Sequence, residues 1–263
     1  MDFGIRGKVA LVAASSRGLG RATAEALAAE GADLVLCARG EEALRATAED
    51  IRRASDVRVV DVVADVSTPA GIASVLAAAR RELGDVDILV TNAGGPPAGP
   101  FEAHTPEAWD AAVRANLTSV VELVRGVLPA MRERRWGRIV NVTSIAVKQP
   151  VDNLILSNSV RAAVTGFART LANEVAPFGI TVNNVMPGYT RTARVEELAQ
   201  RTASLQGTTP EAAFAVWEKQ IPMGRLGEPA EFGAMVAFLC SVHASYTTGT
   251  SIPVDGGWIR SLV

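Results

Sequence analysis

Short apolar runs alternate along the chain with longer segments of helical period, and this alternation limits the possible folds more than any other feature. The apolar runs lack polar alternation, which is typical of strands buried on both faces of a parallel sheet. We predict strands at 9–13, 34–36, 57–63, 88–90, 139–142, 180–185 and 251–254, and helices near 21–29, 41–54, 69–83, 106–134, 155–176 and 229–241. The pattern predicts one α/β domain over residues 1–263, a doubly wound, seven-stranded parallel sheet with helices on both faces.

Local signals refine this prediction. Thr68, Thr105 and Thr209 each precede a proline, so we expect a capping hydroxyl followed by proline at the first helical position. Pro253 suits only an edge strand or a strand end. The polar, Thr-rich segment 188–210 is the least regular, and we expect a partly helical flap over a site. That site is expected at the carboxyl ends of the strands, where doubly wound sheets bind ligands.

Composition argues against several classes of function. The 263 residues carry a net charge of −2, with 48% apolar and 21% charged residues, so there is no basic excess for a nucleic-acid partner. Two cysteines and two histidines predict neither a disulfide framework nor a metal site. No apolar run is long enough to span a membrane, and residues 1–8 lack the order of a signal peptide. We therefore expect a cytoplasmic protein that acts on a small molecule.

The turn between the first strand and the first helix contains Ser15, Ser16, Arg17, Gly18, Leu19 and Gly20. Its glycines let the backbone approach a ligand, and a helix N-terminus offers unpaired N–H groups and partial positive charge to a pyrophosphate. Glycines also pack helices onto sheets, but the position after an N-terminal strand favours dinucleotide binding.

This turn resembles the Thr-Gly-x-x-x-Gly-x-Gly motif of the short-chain dehydrogenase/reductase family. Further landmarks follow in the family's order over roughly residues 5–258: Asn92-Ala93-Gly94, Asn116, Ser144, Pro187-Gly188 and Asp255-Gly256-Gly257. The most similar branch is the β-ketoacyl-carrier-protein-reductase-like group. The resemblance implies a Rossmann domain that binds a nicotinamide dinucleotide. The binding residues are those of the glycine turn, residues 92–94 and residues 187–188. Ala14 replaces the motif's first glycine, so we expect a negative φ there and a slightly altered turn.

The nicotinamide cofactor is predicted to be NADP rather than NAD. No Asp or Glu lies between Leu34 and Arg39 to accept a hydrogen bond from the ribose 2′-hydroxyl. Arg39 and Arg17 instead provide two guanidinium groups for a 2′-phosphate, although both are also compatible with solvated surface positions. Asp65-Val66 resembles the pair that holds the adenine in the family, and Asp65 is alternatively a helix cap.

The resemblance also implies four catalytic residues: Asn, Ser, Tyr and Lys. Asn116 and Ser144 match, but Ser157 and Arg161 stand where the tyrosine and the lysine are expected, in a segment that aligns without a gap. A phenol has a pKa near 10 and a serine hydroxyl is far less acidic. Loss of general acid–base help costs about 10²–10⁴-fold. Arg161 is expected to contact the nicotinamide ribose, but it does not titrate as a lysine does.

No other side chain is a clear replacement for the missing phenol. We expect Tyr189 to pack near the cofactor and Tyr246 to be structural, whereas loop residues Lys148 and His104 are expected to be solvated or capping. A water relay from Ser144, Ser157 or Ser159 to Asn116 stays open.

Three functions remain. The first is an NADP-dependent oxidoreductase acting on a carbonyl or alcohol through an atypical proton path. The second is a catalytically impaired NADP-binding protein, a sensor or scaffold, and the third is hydride transfer to an activated double bond or quinone. The resemblance favours the first, and it implies a homodimer or homotetramer because relatives pack their C-terminal region against a second subunit.

Overall fold

The seven strands form one parallel sheet, as the apolar runs predict. The structure is a computed structural model and describes residues 2–262. The strands are β1 (Val9–Ala13), β2 (Asp33–Ala38), β3 (Val59–Val63), β4 (Ile88–Thr91), β5 (Gly137–Val142), β6 (Ile180–Pro187) and β7 (Ser251–Val254). Their order in the sheet is β3-β2-β1-β4-β5-β6-β7, and every neighbouring pair is parallel. The order reverses between β1 and β4, which marks the switch point where such sheets bind ligands.

Nine α-helices accompany the sheet within residues 2–262: α1 (Gly18–Ala29), α2 (Glu41–Ala54), α3 (Pro69–Glu82), α4 (Pro106–Val113), α5 (Ser119–Arg134), α6 (Ile155–Val175), α7 (Ala193–Gln206), α8 (Pro210–Gln220) and α9 (Pro229–Cys240). Side chains of β1 alternate between two apolar cores, because successive residues of a strand point to opposite faces. Ala10 and Val12 belong to the core with α1, α2 and α9, whereas Leu11 belongs to the core with α3, α5 and α6. The doubly wound prediction is confirmed.

The three Thr-Pro signals are helix caps. The hydroxyls of Thr68, Thr105 and Thr209 accept hydrogen bonds from the backbone N–H three residues later, at 3.1, 3.4 and 3.3 Å. Each proline takes the first turn of its helix, where its missing N–H costs nothing. Pro253 lies in β7, the edge strand, as its lack of an N–H requires.

The helix predicted over 106–134 is interrupted. Residues 114–118 form a π-helical turn between α4 and α5, and Asn116 lies inside it. The Asn116 side-chain amide donates to the carbonyl of Ala112, and the hydroxyl of Ser119 donates to the carbonyl of Ala115. A π-turn widens a single turn of a helix by one residue, and the predicted helix over 106–134 runs through it without a break.

The segment 188–210, which we call the flap segment, is partly helical as expected. It follows β6 and contains α7, which begins at Ala193 after the Thr192 hydroxyl accepts a hydrogen bond from Val195 N–H. Of the helices that the structure describes, none combines the length and the hydropathy needed to cross a membrane.

Candidate active site

A cavity of about 400 Å³ opens at the carboxyl ends of β1, β4, β5 and β6, next to the switch point. Its walls are the β1–α1 turn, the loop after β4, the loop after β5, one side of α6 and the flap segment. Most of the predicted site residues line it: Arg17, Gly18, Leu19, Asn92, Ala93, Gly94, Ser144, Ser157, Arg161, Pro187 and Gly188. The topology therefore collects residues that are far apart in sequence.

One end of the cavity is built from backbone. Helix α1 begins at Gly18, whose φ of +56° is in the left-handed region that favours glycine. The residue before it, Arg17, makes no side-chain capping bond, and the first turn of α1 contains no acidic residue. The N–H groups at this helix start are consequently available to an anion, and the helix dipole favours negative charge there. These features fit a pyrophosphate.

Ala14 does not have the negative φ that we expected. Its φ is +51°, so the turn keeps the left-handed backbone of a glycine although an alanine occupies the position. The prediction was wrong because the neighbouring packing fixes the backbone: a Cβ at Gly20 would collide with the carbonyl oxygen of Ala14. A left-handed L-residue costs roughly 1–2 kcal/mol. The altered residue therefore stores strain, and the turn keeps its shape.

Ser15 and Gly20 lie beneath the turn and do not line the cavity. Ser15 is buried, and its hydroxyl accepts a hydrogen bond from Cys37 N–H at 3.0 Å, which links the ends of β1 and β2. The carbonyl of Ser16 accepts from the hydroxyl of Thr47 on α2 at 2.9 Å. These contacts position the helix start through the backbone.

Arg39, Asp65 and Val66 lie beyond the cavity, at the ends of β2 and β3. Asp65 accepts a hydrogen bond from Ser67 N–H at 2.9 Å, while Thr68 caps α3, so Asp65 is not the cap itself. Burial raises the pKa of Asp65, but hydrogen bonds from Ser67 and the positive charge of Arg39 outweigh it and lower the pKa. Arg39 is exposed, and its positive charge is close enough to stabilise the ionised carboxylate of Asp65.

The opposite end of the cavity is built from side chains. Ser144 follows β5, and its hydroxyl oxygen accepts from Ala146 N–H at 3.1 Å, which leaves the hydroxyl hydrogen available to donate. Ser157 and Arg161 lie one turn apart on α6 and are 9% and 8% exposed. Since residues four apart share a helix face, α6 presents both side chains to the same wall as Ser144.

The guanidinium of Arg161 is held by backbone carbonyls. It donates to Val142 at 2.7 Å, to Thr143 at 2.9 Å and to Ala93 at 3.5 Å, joining α6 to the ends of β4 and β5. Burial lowers the pKa of Arg161 to about 10, and the charge of Arg194 acts in the same direction. The group is still protonated at neutral pH, so it places a fixed positive charge in the cavity wall.

Asn116 borders the same region from the π-turn. It is 5% exposed and lies with Arg161 and Asn92 around a small cavity behind the main one. Its amide nitrogen donates to Ala112 at 3.2 Å, whereas its buried Oδ1 has no hydrogen-bond partner among residues 2–262. Leaving such an acceptor unpaired costs about 1–3 kcal/mol, which is typical of a group kept for a ligand or a proton path.

Comparison with known proteins agrees with this geometry. Residues 13–259 match a family model described as enoyl-(acyl carrier protein) reductase. The chain is 37% identical to the 3-oxoacyl-acyl-carrier-protein reductase FabG of Vibrio cholerae, covering 96% of this chain and 98% of the relative. It is 36% identical to the D-beta-hydroxybutyrate dehydrogenase of Cupriavidus necator, with 97% and 99% covered. The chain belongs to the short-chain dehydrogenase/reductase family.

A solved structure extends the similarity to the whole backbone. The L-sorbose reductase of Gluconobacter frateurii, in complex with NADPH and L-sorbose, superposes with a TM-score of 0.95 at 36% identity, and each chain is covered completely. The single Rossmann-type domain inferred from the sequence is therefore that of this dehydrogenase/reductase family.

The chain has two tyrosines, Tyr189 and Tyr246, and neither is placed as a free phenol in the cavity. Tyr189 lines the cavity, but its ring stacks on Trp217 at 4.7 Å and meets Trp258 edge-on at 6.3 Å, as expected for packing. Burial raises the pKa of Tyr189, so it is a poorer acid than a free phenol. Tyr246 is fully exposed within residues 2–262, so it has no packing role inside this subunit, and its expected structural role stays a prediction.

The remaining candidates lie away from the cavity. Lys148 is exposed after the short helix that follows Ser144, and Ser159 is exposed on α6. His104 is half-buried, with Nε2 3.3 Å from the carbonyl oxygen of Gly99 in the loop before the short helix 101–103, and its expected capping or solvated role stays a prediction. None of the three lines the cavity.

Sequence reasoning missed Thr192 and Arg194 in the flap segment. Both line the cavity, and the guanidinium of Arg194 donates to the carbonyl of Pro96 in the loop after β4, at 3.2 Å. A cation in the first turn of a helix after a Thr cap is a weak signal, because the helix dipole disfavours positive charge there. The topology is what brings this arginine opposite the β4 loop.

Proposed function

We propose that this chain is an NADP-dependent oxidoreductase that interconverts a carbonyl and an alcohol on a small molecule, through an atypical proton path. The observation that carries the proposal is the meeting of Ser144, Ser157 and Arg161 at one end of a cavity whose other end fits a pyrophosphate. The activities of these relatives support the reaction class, since each concerns a keto or hydroxy compound.

NADP fits the groups present. The α1 start would hold the pyrophosphate through backbone N–H groups. Arg17, at that helix start, and Arg39, at the end of β2, would pair with the 2′-phosphate, with Asp65 and Val66 beside the adenine. NADPH in the complexed sorbose reductase supports this choice. When bound, NADPH supplies the hydride that the carbonyl carbon receives.

The side chains at the other end would polarise the carbonyl. The hydroxyls of Ser144 and Ser157 donate hydrogen bonds to the substrate oxygen, and the charge of Arg161 stabilises the negative charge that develops there. Three hydrogen bonds to carbonyls leave two of the five Arg161 donors without a partner among residues 2–262. Preorganised donors of this kind contribute about 10²–10³-fold each to a rate.

The proton that completes the alcohol would come from water. Arg161 keeps its proton at neutral pH, and a serine hydroxyl passes a proton on only as fast as another group replaces it. The unpaired Oδ1 of Asn116 is a buried acceptor beside Arg161 and can orient a water molecule. The proton would therefore pass from solvent through water held at Asn116 and along the serines to the alkoxide oxygen of the substrate, with solvent replacing the proton that the bound water gives up, and this path would be slower than transfer from a phenol.

The test is NADPH oxidation with a panel of ketones and NADP reduction with the matching alcohols. We expect slow turnover in the wild type, a fall of about 10²-fold in Ser144→Ala and Ser157→Ala, and no change in Ser159→Ala, on the same helix but outside the cavity. Activity that persists in Tyr189→Phe and His104→Ala would agree with serine and water as the path. Turnover that appears only in Ser157→Tyr/Arg161→Lys would instead identify a binding protein, a sensor or scaffold.

We further propose that the chain forms a homodimer or homotetramer and that the flap segment closes over the substrate. Exposed apolar side chains near the end of α9 and after it support an interface: Phe238, Val242 and Tyr246. Sedimentation at micromolar concentration tests this, and a monomer would contradict it.

A further inference from the structure

The cavity is positively charged along its whole length. Its walls contain three arginines, Arg17, Arg161 and Arg194, and no Asp, Glu or Lys among the lining residues that the structure describes. Arg17 belongs to the helix start that fits a pyrophosphate, so its charge has an expected partner. The other two charges lie at the end where a substrate would react, and the proposed hydride transfer develops negative charge on the oxygen beside Arg161 but brings none to Arg194.

Arg161 is a buried positive charge without an anionic partner among the described residues. Its partners are neutral carbonyls, and among residues 2–262 no carboxylate forms an ion pair with it. A buried guanidinium whose hydrogen-bond partners are all neutral is not neutralised, so such a site binds an anion well once a ligand brings one. Arg194 adds a second positive charge close enough to lower the pKa of Arg161.

Arg194 spans the mouth of the cavity. It begins in the flap segment and reaches across to the loop after β4, where its guanidinium donates to Pro96 and would lie 3.7 Å from a Cβ at Gly95. Its only ion pair among the described residues is with Glu197 at 3.7 Å, between side chains that are 51% and 68% exposed. Exposed pairs of this kind contribute little, so the guanidinium fork is available to a ligand.

We propose that the substrate is a keto acid or hydroxy acid whose carboxylate is bound by Arg194 while Ser144, Ser157 and Arg161 hold the reacting oxygen. The inference builds on the proposed oxidoreductase function and names its substrate class. A guanidinium binds a carboxylate through two parallel hydrogen bonds, which fixes orientation as well as charge. Val151, Leu154 and Leu198 also line the cavity and suit the apolar chain of such a substrate.

The cofactor is a second possible source of an anion, and the geometry favours the substrate. The pyrophosphate has its own place at the α1 start, whereas Arg194 faces the loop after β4. A carboxylate held at the mouth also bridges the flap segment to that loop, since Arg194 is attached to both. Substrate binding and closure of the flap segment would then be one event.

The test uses equilibrium binding to the complex with oxidised NADP, in which a ketone binds without reacting. The probes are 2-, 3- and 4-oxopentanoate and their methyl esters, which keep the carbonyl and remove the charge. We expect one of the acids to bind at least about tenfold more tightly than its ester, and Arg194→Met to abolish that preference. Arg194→Lys should retain part of it. Arg201→Met is the matched control, an exposed arginine of α7 outside the cavity, and should retain all of it.

Equal binding of acid and ester to the wild type at every chain length would overturn the proposal. So would an unchanged preference in Arg194→Met together with weaker NADPH binding, because the guanidinium would then serve the cofactor. Turnover with the same probes separates the two proposals. Acids that bind selectively without any hydride transfer contradict the oxidoreductase function alone, and esters reduced as well as acids contradict the carboxylate site alone.

Discussion

The two ends of the cavity are built differently. The end that fits a pyrophosphate uses backbone: a left-handed Gly18, an uncapped helix start and a turn fixed by Gly20 packing under Ala14. The other end uses the side chains of Ser144, Ser157 and Arg161. Backbone features survive side-chain replacement as long as the chain keeps its path, and even Ala14 keeps a glycine's φ. A site of side chains, by contrast, changes its chemistry with each substitution.

The largest expected effect is at the side-chain end. Arg161→Met removes the fixed charge and leaves the carbonyls of Val142, Thr143 and Ala93 without their donor. We expect turnover to fall about 10²–10³-fold and the free energy of unfolding to fall by about 1–3 kcal/mol. Ketone reduction and urea unfolding measure the two effects.

Arg161→Lys separates chemistry from folding, because it keeps the charge with fewer donors. We expect it to fold and to retain more activity than Arg161→Met. If Arg161→Met turned over as fast as the wild type, the charge of Arg161 would have no role in the reaction. The chemistry of that end of the cavity would then not depend on this side chain.

Gly18→Ala tests the backbone end. Its Cβ would lie 3.3 Å from Thr192 in the flap segment, and φ at this position is left-handed. We expect the NADPH dissociation constant to rise about tenfold or more, with a stability loss of roughly 1–2 kcal/mol. Fluorescence titration with NADPH measures the binding.

Gly166→Ala is the matched control, since Gly166 is an exposed position of α6 and a Cβ there meets nothing within 4 Å. It should bind NADPH normally. Equal affinity of Gly18→Ala and the wild type would mean that the cofactor does not approach this helix start.

The difference between local backbone features and contacts of distant side chains also explains which parts of the structure the sequence could predict. Strand and helix positions follow from apolar period, and the helix start after β1 follows from glycine spacing, so both are recovered. The φ of Ala14 depends on packing with Gly20, and the reach of Arg194 to Pro96 depends on how β4 and α7 meet. Such contacts join distant parts of the chain and leave no local pattern.

Arg39→Ala tests whether Arg39, beside the backbone end of the cavity, binds the 2′-phosphate of NADP. If Arg39 contacts the 2′-phosphate, its loss should weaken NADPH binding about tenfold and leave NADH binding nearly unchanged. The ratio of the two dissociation constants is the measurement. Arg45→Ala removes an exposed arginine of α2 that pairs with Glu41 and is the control. Equal losses for both cofactors in Arg39→Ala would remove the argument for NADP from this residue.

The smallest effect is also the most direct test of how the backbone end tolerates substitution. Ala14→Gly relieves a left-handed alanine worth roughly 1–2 kcal/mol, against an entropic cost of about 0.5–1 kcal/mol for a new glycine. We therefore expect the free energy of unfolding to rise by about 0.5–1 kcal/mol, with NADPH affinity unchanged because the turn already has the glycine shape. Ala162→Gly, on the exposed side of α6, should instead lower it by about 1 kcal/mol. If Ala14→Gly raises the free energy of unfolding and Ala162→Gly lowers it, the turn forces a strained conformation on Ala14. If both substitutions lower it, Ala14 is not strained by its left-handed φ.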